Sequence, residues 1–166
     1  AIMVFGMTMA LVSGGFDLSV GSVFAVGGVV TATALRADLS IPVSILCGVG
    51  VGVLAGLING LLITKVQINP FITTLGMMGI ARGAALAVTK GTTVAGLPQE
   101  FFVYGQGKIG EIFNLVIIAF VIIIIGDILM RRSAIFRQVY YVGGNEEAAR
   151  LSGIHVDRVK IAVYTL

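Results

Sequence analysis

Four ionisable side chains lie within or at the rim of apolar runs in this chain: Asp17, Arg82, Asp127 and His155. Groups so placed could move a proton, hold an ion or line a path for a polar solute. The first two roles need company. The sequence carries no nucleophile–base pair, no phosphate-cradling glycine loop ending in Lys-Ser/Thr and no His/Cys cluster at metal-ligand spacing. His155 is the single histidine and Cys47 the single cysteine, so a histidine metal cage and an intrachain disulfide are both excluded within these residues. Asp17, Arg82 and Asp127 are too scattered for an enzyme's acid–base set. Asp127 is placed to pair with Arg131, and His155 reads as a polar surface residue. Passage of a polar solute is the chemistry that remains.

The other polar concentration is the island Gly143 to His155. Asn145 suits a helix N-cap, because its side-chain oxygen accepts from otherwise unpaired backbone N–H groups. Glu146 and Glu147 follow in the first turn, where the helix dipole favours negative charge. Ala148, Ala149, Arg150 and Leu151 are good helix formers, and Gly153 supplies a stop. The spacing predicts a helix of about two turns, too short to be stable alone in water. Two supports are open to it. It can lie amphipathically on lipid. Alternatively, as a rigid exposed segment tied to two membrane helices, it can receive force from a partner such as an ATPase, with Ala148, Ala149, Leu151 and Ile154 as its apolar contact set.

The elements that must position these residues are membrane helices. The 166 residues are 57% hydrophobic and 11% charged, against roughly a quarter charged in a soluble domain. The fold class expected is all-α: a polytopic transmembrane helical bundle with a broken helix and a short cytoplasmic helix. Apolar segments fall at about 1–12, 18–35, 41–64, 70–88 and 112–130, with a cytoplasmic segment over 131–155 and the start of a further span at 156–166. Ser13-Gly14-Gly15 breaks the first from the second, and Asp17 caps the second. Such a break either lines a cavity at membrane depth or forms a loop at the membrane surface. The stretch 89–110 reads as a loop whose Phe101, Phe102 and Tyr104 form an interfacial aromatic belt or help to dock an external partner. The chain opens at Ala1 without a basic lead-in and stops inside an apolar segment, so it reads as an internal fragment of one longer permease-like domain.

Within 41–64, Gly48, Gly52, Gly56 and Gly60 recur every fourth residue and share one face, where another helix can approach closely. Asn59 beside them fits an interhelical hydrogen bond or a place on a solute path. Arg82 either snorkels towards the headgroups or serves the path. Seven basic residues (Lys65, Arg131, Arg132, Arg137, Arg150, Arg158 and Lys160) fall on one side of the predicted spans and three (Arg36, Lys90 and Lys108) on the other. The positive-inside rule then places 131–160 in the cytoplasm and 89–111 outside. The net charge of +3 is not gathered in one patch, and no nucleic-acid partner is expected.

Four motifs in order resemble one family. Gly14-Gly15-Phe16-Asp17-Leu18-Ser19-Val20-Gly21-Ser22 is similar to the signature of bacterial permeases of the ribose/xylose class of sugar ABC importers. Asn59-Gly60, Asn69-Pro70-Phe71-Ile72-Thr73-Thr74-Leu75-Gly76 with Ala81-Arg82-Gly83, and Gly143 to Ile154 resemble the same family in the same order. The Phe16 position is usually aliphatic there. The resemblance implies that Gly144, Asn145, Glu146, Glu147, Ala148, Ala149, Arg150, Leu151 and Gly153 belong to a coupling helix that docks on a separate ATP-binding subunit. Ser19, Asn69 and Thr73, polar residues within these motifs, join Asp17, Asn59 and Arg82 as candidates for the translocation path. The resemblance further implies an external sugar-binding protein, a second permease subunit (identical or different) and the bacterial inner membrane. No cofactor is expected of this chain, since ATP belongs to the partner. A secondary transporter or channel with broken helices and no ATPase is the alternative.

Overall fold

Runs of small and aliphatic residues bounded by Gly, Pro, Asn and charged residues dictate helices, and helices are what form. The computed structural model describes residues 2–166, apart from the side chains of Ile2, Tyr104, Ile109, Ala134 and Ile135. The elements are α1 (Ile2–Val12), α2 (Val20–Arg36), α3 (Ile41–Thr64), α4 (Pro70–Thr89), α5 (Gln99–Gln106), β1 (Lys108–Ile109), β2 (Ile112–Phe113), α6 (Asn114–Arg132), α7 (Ala134–Gly144), α8 (Glu146–Leu151) and α9 (Val156–Thr165). Three of these, α3, α4 and α6, are long and apolar enough to cross a membrane. Their outward faces carry exposed Leu46, Leu54, Ile80, Phe120 and Ile124, which is stable only against lipid or another apolar surface.

Local signals explain the boundaries. Asn69 accepts from Phe71 N at 2.9 Å ahead of Pro70 at the first helical position of α4. Lys90 ends α4 in a left-handed conformation, φ +52°. α2 begins at Val20, two residues later than its expected start, because Asp17 Oδ1 accepts from both the backbone N–H and the hydroxyl of Ser19, at 2.7 and 2.6 Å. This Asx-type turn competes with the helix for those donors.

Two stretches differ from the sequence expectation. The segment 89–110 is not one loop: Pro98 leads into α5, and β1 and β2 then form an antiparallel hairpin that turns at Gly110, φ +65°. The hairpin takes up Ile112 and Phe113, so α6 starts at Asn114, whose side-chain amide donates to Val103 O at 2.8 Å. Phe101 and Phe102 lie on α5, and the Lys108 ammonium stands 4.6 Å from the centre of the Phe113 ring; the Tyr104 side chain lies outside the described residues. The second difference is α7, a helix within 131–155 that precedes the short one. It is amphipathic, with Val139 and Val142 buried and Tyr140 and Tyr141 exposed.

The core that α7 joins runs across α1, α6, α8 and α9. Met9, Met130, Val142, Ala149, Val156 and Val159 are all buried there. Beside it, α3 packs against both α2 and α9.

Candidate functional site

The short helix forms as its residues require. Asn145 is extended, and its side chain accepts from Ala148 N at 2.9 Å. At the other end, Ile154 N donates to Ala149 O and Gly153 N to Arg150 O, both at 3.0 Å, with Gly153 at φ +82°. That is the Schellman pattern, in which a left-handed glycine lets the chain satisfy the last carbonyls.

Six residues of helix do not hold themselves in place, and an ion network does part of the work. Arg150 Nη2 lies 3.2 Å from Glu146 on its own helix and 2.9 Å from Asp157 on α9. Asp157 also takes Lys65, just past the end of α3, at 2.7 Å. Glu146 takes Lys160 of α9 at 2.6 Å. The network therefore ties α8 to α9 and to the α3–α4 turn. Lys160 above all, and Arg150 after it, hold the Glu146 carboxyl below its usual range. The bond to Glu146, then that to Asp157, holds the Arg150 guanidinium above its usual value.

The helix presents one face outward and one inward. Glu147, Ala148 and Leu151 are exposed, Leu151 to 85%. Ala149 is not part of that face. It is only 3% exposed and sits in the core beside Val142 and Val156. Ile154 is half-buried against the same core. The expectation that both belong to an outward contact set is corrected: the sequence spacing alone left open how the helix is rotated, and α7 and α9 claim this side of it. Tyr140 and Tyr141 stand beside the outward face across a groove of about 430 Å³ lined also by Asn145, Ala148 and Ser152.

The break between α1 and α2 lies next to this helix. Gly14 has φ +79°, which bends the chain. Ser13 and Ser19 are buried and Asp17 is half-buried. Asn59, 1% exposed, donates from Nδ2 to Ser19 Oγ at 3.1 Å, so Asp17, Ser19 and Asn59 form one hydrogen-bonded chain. The Asn59 side-chain oxygen has no partner among the described residues. The Phe16 carbonyl accepts from the Thr74 hydroxyl of α4 at 3.4 Å and the Tyr164 hydroxyl of α9 at 3.5 Å. Asn59 lies five residues from the end of α3, about 7–8 Å at 1.5 Å per residue. Break and short helix thus share one end of the molecule.

A family described as branched-chain amino acid transport system / permease component matches residues 1–166. The chain belongs to this permease family. Its relatives include the galactofuranose transporter permease protein YtfT of Escherichia coli, 36% identical over all of this chain and 49% of that protein. The ribose import permease protein RbsC of Bacillus subtilis is 37% identical over 99% of this chain and 52% of its own length. The L-arabinose transport system permease protein AraH of Escherichia coli is 39% identical over 97% and 49%. The chain spans about half the length of the curated relatives it matches. No solved structure matches it.

The remaining candidates of the permease are not all brought together. Thr73 is buried and donates to Asn69 O at 3.1 Å, one turn back, while Asn69 itself is exposed. Arg82 is exposed on α4, away from the Asp17–Ser19–Asn59 chain. Asp127 pairs with Arg131 at 2.8 Å. The glycine stripe of α3 divides between neighbours. A Cβ on Gly48 would strike Thr31 Oγ1 and come within 2.6 Å of Gly27 O, both on α2. On Gly56 it would strike the Tyr164 carbonyl and come within 2.8 Å of Thr165 Cα, and on Gly60 it would lie 2.8 Å from Ile161 Cα, all on α9. Gly52 differs: its nearest neighbour is Val23 Cγ1 at 3.9 Å, so no backbone approaches it. Sequence reasoning missed Tyr164, Thr74, Lys65 and Asp157 as parts of these two assemblies. The signal was weak, since Tyr164 and Thr74 lie far along the chain from Phe16, and Lys65 lies far from Asp157.

Proposed function

We propose that this chain is part of the membrane-spanning permease subunit of a bacterial ABC importer, in which it helps to form the path for a monosaccharide and docks on a separate ATPase through α8. The observation that carries the proposal is the posture of α8. It is a capped, glycine-terminated helix, clamped by ion pairs to α9 and, through Asp157, to Lys65 at the end of the apolar α3, while it exposes Glu147, Ala148 and Leu151. A helix resting on lipid needs no such clamp. A helix that takes a load does, because force applied to it must reach the spans without the helix detaching.

The substrate class is supported by the relatives, whose names specify galactofuranose, ribose and L-arabinose. Asp17, Ser19, Asn59 and Thr73 are the polar side chains that would face a sugar's hydroxyls along the way, and Asn59 still has a free acceptor to offer. Arg82 and Asn69 belong to the path only where a second permease subunit or further helices close over them. The whole assembly comprises two permease subunits, the ATP-binding subunit and an external sugar-binding protein in the inner membrane. ATP is bound by the partner, and this chain hydrolyses nothing.

Co-purification of the full-length protein tests the proposal. In detergent, the ATP-binding subunit should remain attached. In proteoliposomes, uptake of a monosaccharide should require ATP and the binding protein. Uptake driven by an ion gradient with no ATPase attached would instead make the break at Gly14 to Ser19 the centre of a secondary transporter.

A further inference from the structure

We propose that Gly143 and Tyr164 form a relay that carries displacement of α8 into the break between α1 and α2, so that docking at one site repositions the Asp17–Ser19–Asn59 chain at the other. The proposal rests on the reading of α8 as the docking helix.

The first contact is backbone against backbone. Gly143 lies two residues before Asn145, the cap of α8. A Cβ built on it would strike the Val12 carbonyl and lie 2.8 Å from its carbon and 3.2 Å from the carbonyl carbon of Ser13. From the opposite side, a Cβ on Gly14 would lie 3.8 Å from Gly143 Cα. Val12 is the last residue of α1 and Gly14 the bend that follows. No side chain stands between the two segments. A side chain could absorb movement by changing rotamer, whereas close-packed backbone must move with its neighbour. Glycine near the end of α7 costs helix stability, and close approach is the feature that accounts for it here.

The second contact comes from α9. The Tyr164 hydroxyl occupies the space that a Cβ on Gly15 would take, with Tyr164 Cζ 3.1 Å from that position, and it donates to Phe16 O at 3.5 Å. α9 is bound to α8 through Arg150–Asp157 and Glu146–Lys160. Any shift of α8 is therefore delivered to Val12 through Gly143 and to Gly15 and Phe16 through Tyr164. The recipient has one soft joint, the left-handed Gly14. Beyond it stand Asp17 and Ser19, the latter hydrogen-bonded to Asn59. A bend that repositions the start of α2 moves these polar groups as a unit, a hinge of the kind that absorbs a backbone change in a few residues.

The test uses the full-length permease with its ATPase and binding protein in proteoliposomes. A thiol at the exposed break residue, Phe16→Cys in a Cys47→Ala background, reports the break directly. Its labelling rate should change at least about five-fold between the nucleotide-free and ATP-bound states, within the range of typical couplings between sites. Gly143→Ala should keep the ATPase attached and its basal hydrolysis intact. It should abolish the nucleotide-dependent change in labelling and lower sugar-stimulated hydrolysis and uptake by the same factor. Gly79→Ala, where nothing lies within 4 Å of the added methyl, should leave all three as in the parent. Uptake and labelling of Gly143→Ala at parental levels would overturn the relay. Should Gly143→Ala fail to reach the membrane, the parental Phe16→Cys protein decides alone, and labelling indifferent to nucleotide counts against the relay. A parental complex that holds no ATPase removes the docking reading and the relay together; one that holds it while the break stays still removes only the relay.

Discussion

The ammonium of Lys65 lies 2.7 Å from the carboxylate of Asp157, joining the end of α3 to the start of α9 across 92 residues of sequence. The same carboxylate holds Arg150 of α8 at 2.9 Å. Asp157 is the branch point at which the short helix is fastened to the spans.

Asp157→Asn should therefore loosen α8 more than it destabilises the protein. Its partners are more than half exposed, so each pair is worth at most about 1 kcal/mol. Thermal melting should fall only slightly, while sugar-stimulated ATP hydrolysis drops. The exchange Lys65→Asp with Asp157→Lys restores one pair and leaves Arg150 facing a cation, so it should recover melting but not coupling. Full coupling in Asp157→Asn would show that the clamp is dispensable.

The tie from Glu146 to Lys160 and Arg150 should be lost only in acid. Its carboxyl is held below the usual range in the folded protein, so the stabilisation is complete above the unfolded-state value, near 4.3 for glutamate, and disappears as pH falls through the lower folded value. Melting curves of the parent and of Glu146→Gln should stay apart from neutral pH down to that range and converge below it. A gap that closes between pH 8 and 6 would contradict this assignment.

Gly56 and Gly52 should part company despite their shared spacing. Gly56→Ala drives a methyl into the backbone of Tyr164 and Thr165, and overpacking of this kind costs about 1–3 kcal/mol. Gly52→Ala meets only Val23 at 3.9 Å and gains helix propensity, so it should be neutral or mildly stabilising. Thermal unfolding of the two purified variants measures the difference; equal stability would mean that α9 does not seat on α3.

Burial also separates two positions on α8. Ala149→Glu places an unpaired carboxylate in the core and should lower membrane expression itself, because burying such a charge is costly. Leu151→Glu sits at a residue 85% exposed and should be inserted normally yet fail to retain the ATPase. Retention of the ATPase by Leu151→Glu would place the docking contact elsewhere, with the Tyr140–Tyr141 groove the next surface to alter.

Orientation is checked with impermeant thiol reagents in a Cys47→Ala background. Lys108→Cys should label in intact cells and Leu151→Cys only after permeabilisation, as the distribution of basic residues requires. Labelling of Leu151→Cys from outside would invert the arrangement.

By itself, the sequence determined what depends on neighbours along the chain. Apolar runs of membrane length, Pro70 at a helix start, Asn145 as a cap and Gly153 as a stop are local physics, and each holds in the structure. The four ordered motifs likewise specified the family. What only the tertiary structure decided depends on which way a helix is turned and on what meets it. A period of four puts Gly48, Gly52, Gly56 and Gly60 on one face, but it does not say that α2 meets the first by backbone and the second only through the Val23 side chain, while α9 takes the last two. A six-residue helix whose apolar residues are only Ala148, Ala149 and Leu151 has no strong apolar side of its own, so the rotation that buries Ala149 and exposes Leu151 was set by α7 and α9 packing against it. The hairpin at 108–113 and the late start of α2 were hidden for a related reason: a two-residue strand and an Asx turn leave no periodicity to read. The meeting of Gly143 with Val12 and of Tyr164 with Gly15 joins residues some 130 to 150 positions apart. Close approach of this sort is a property of the packed backbone, and glycine only makes room for it.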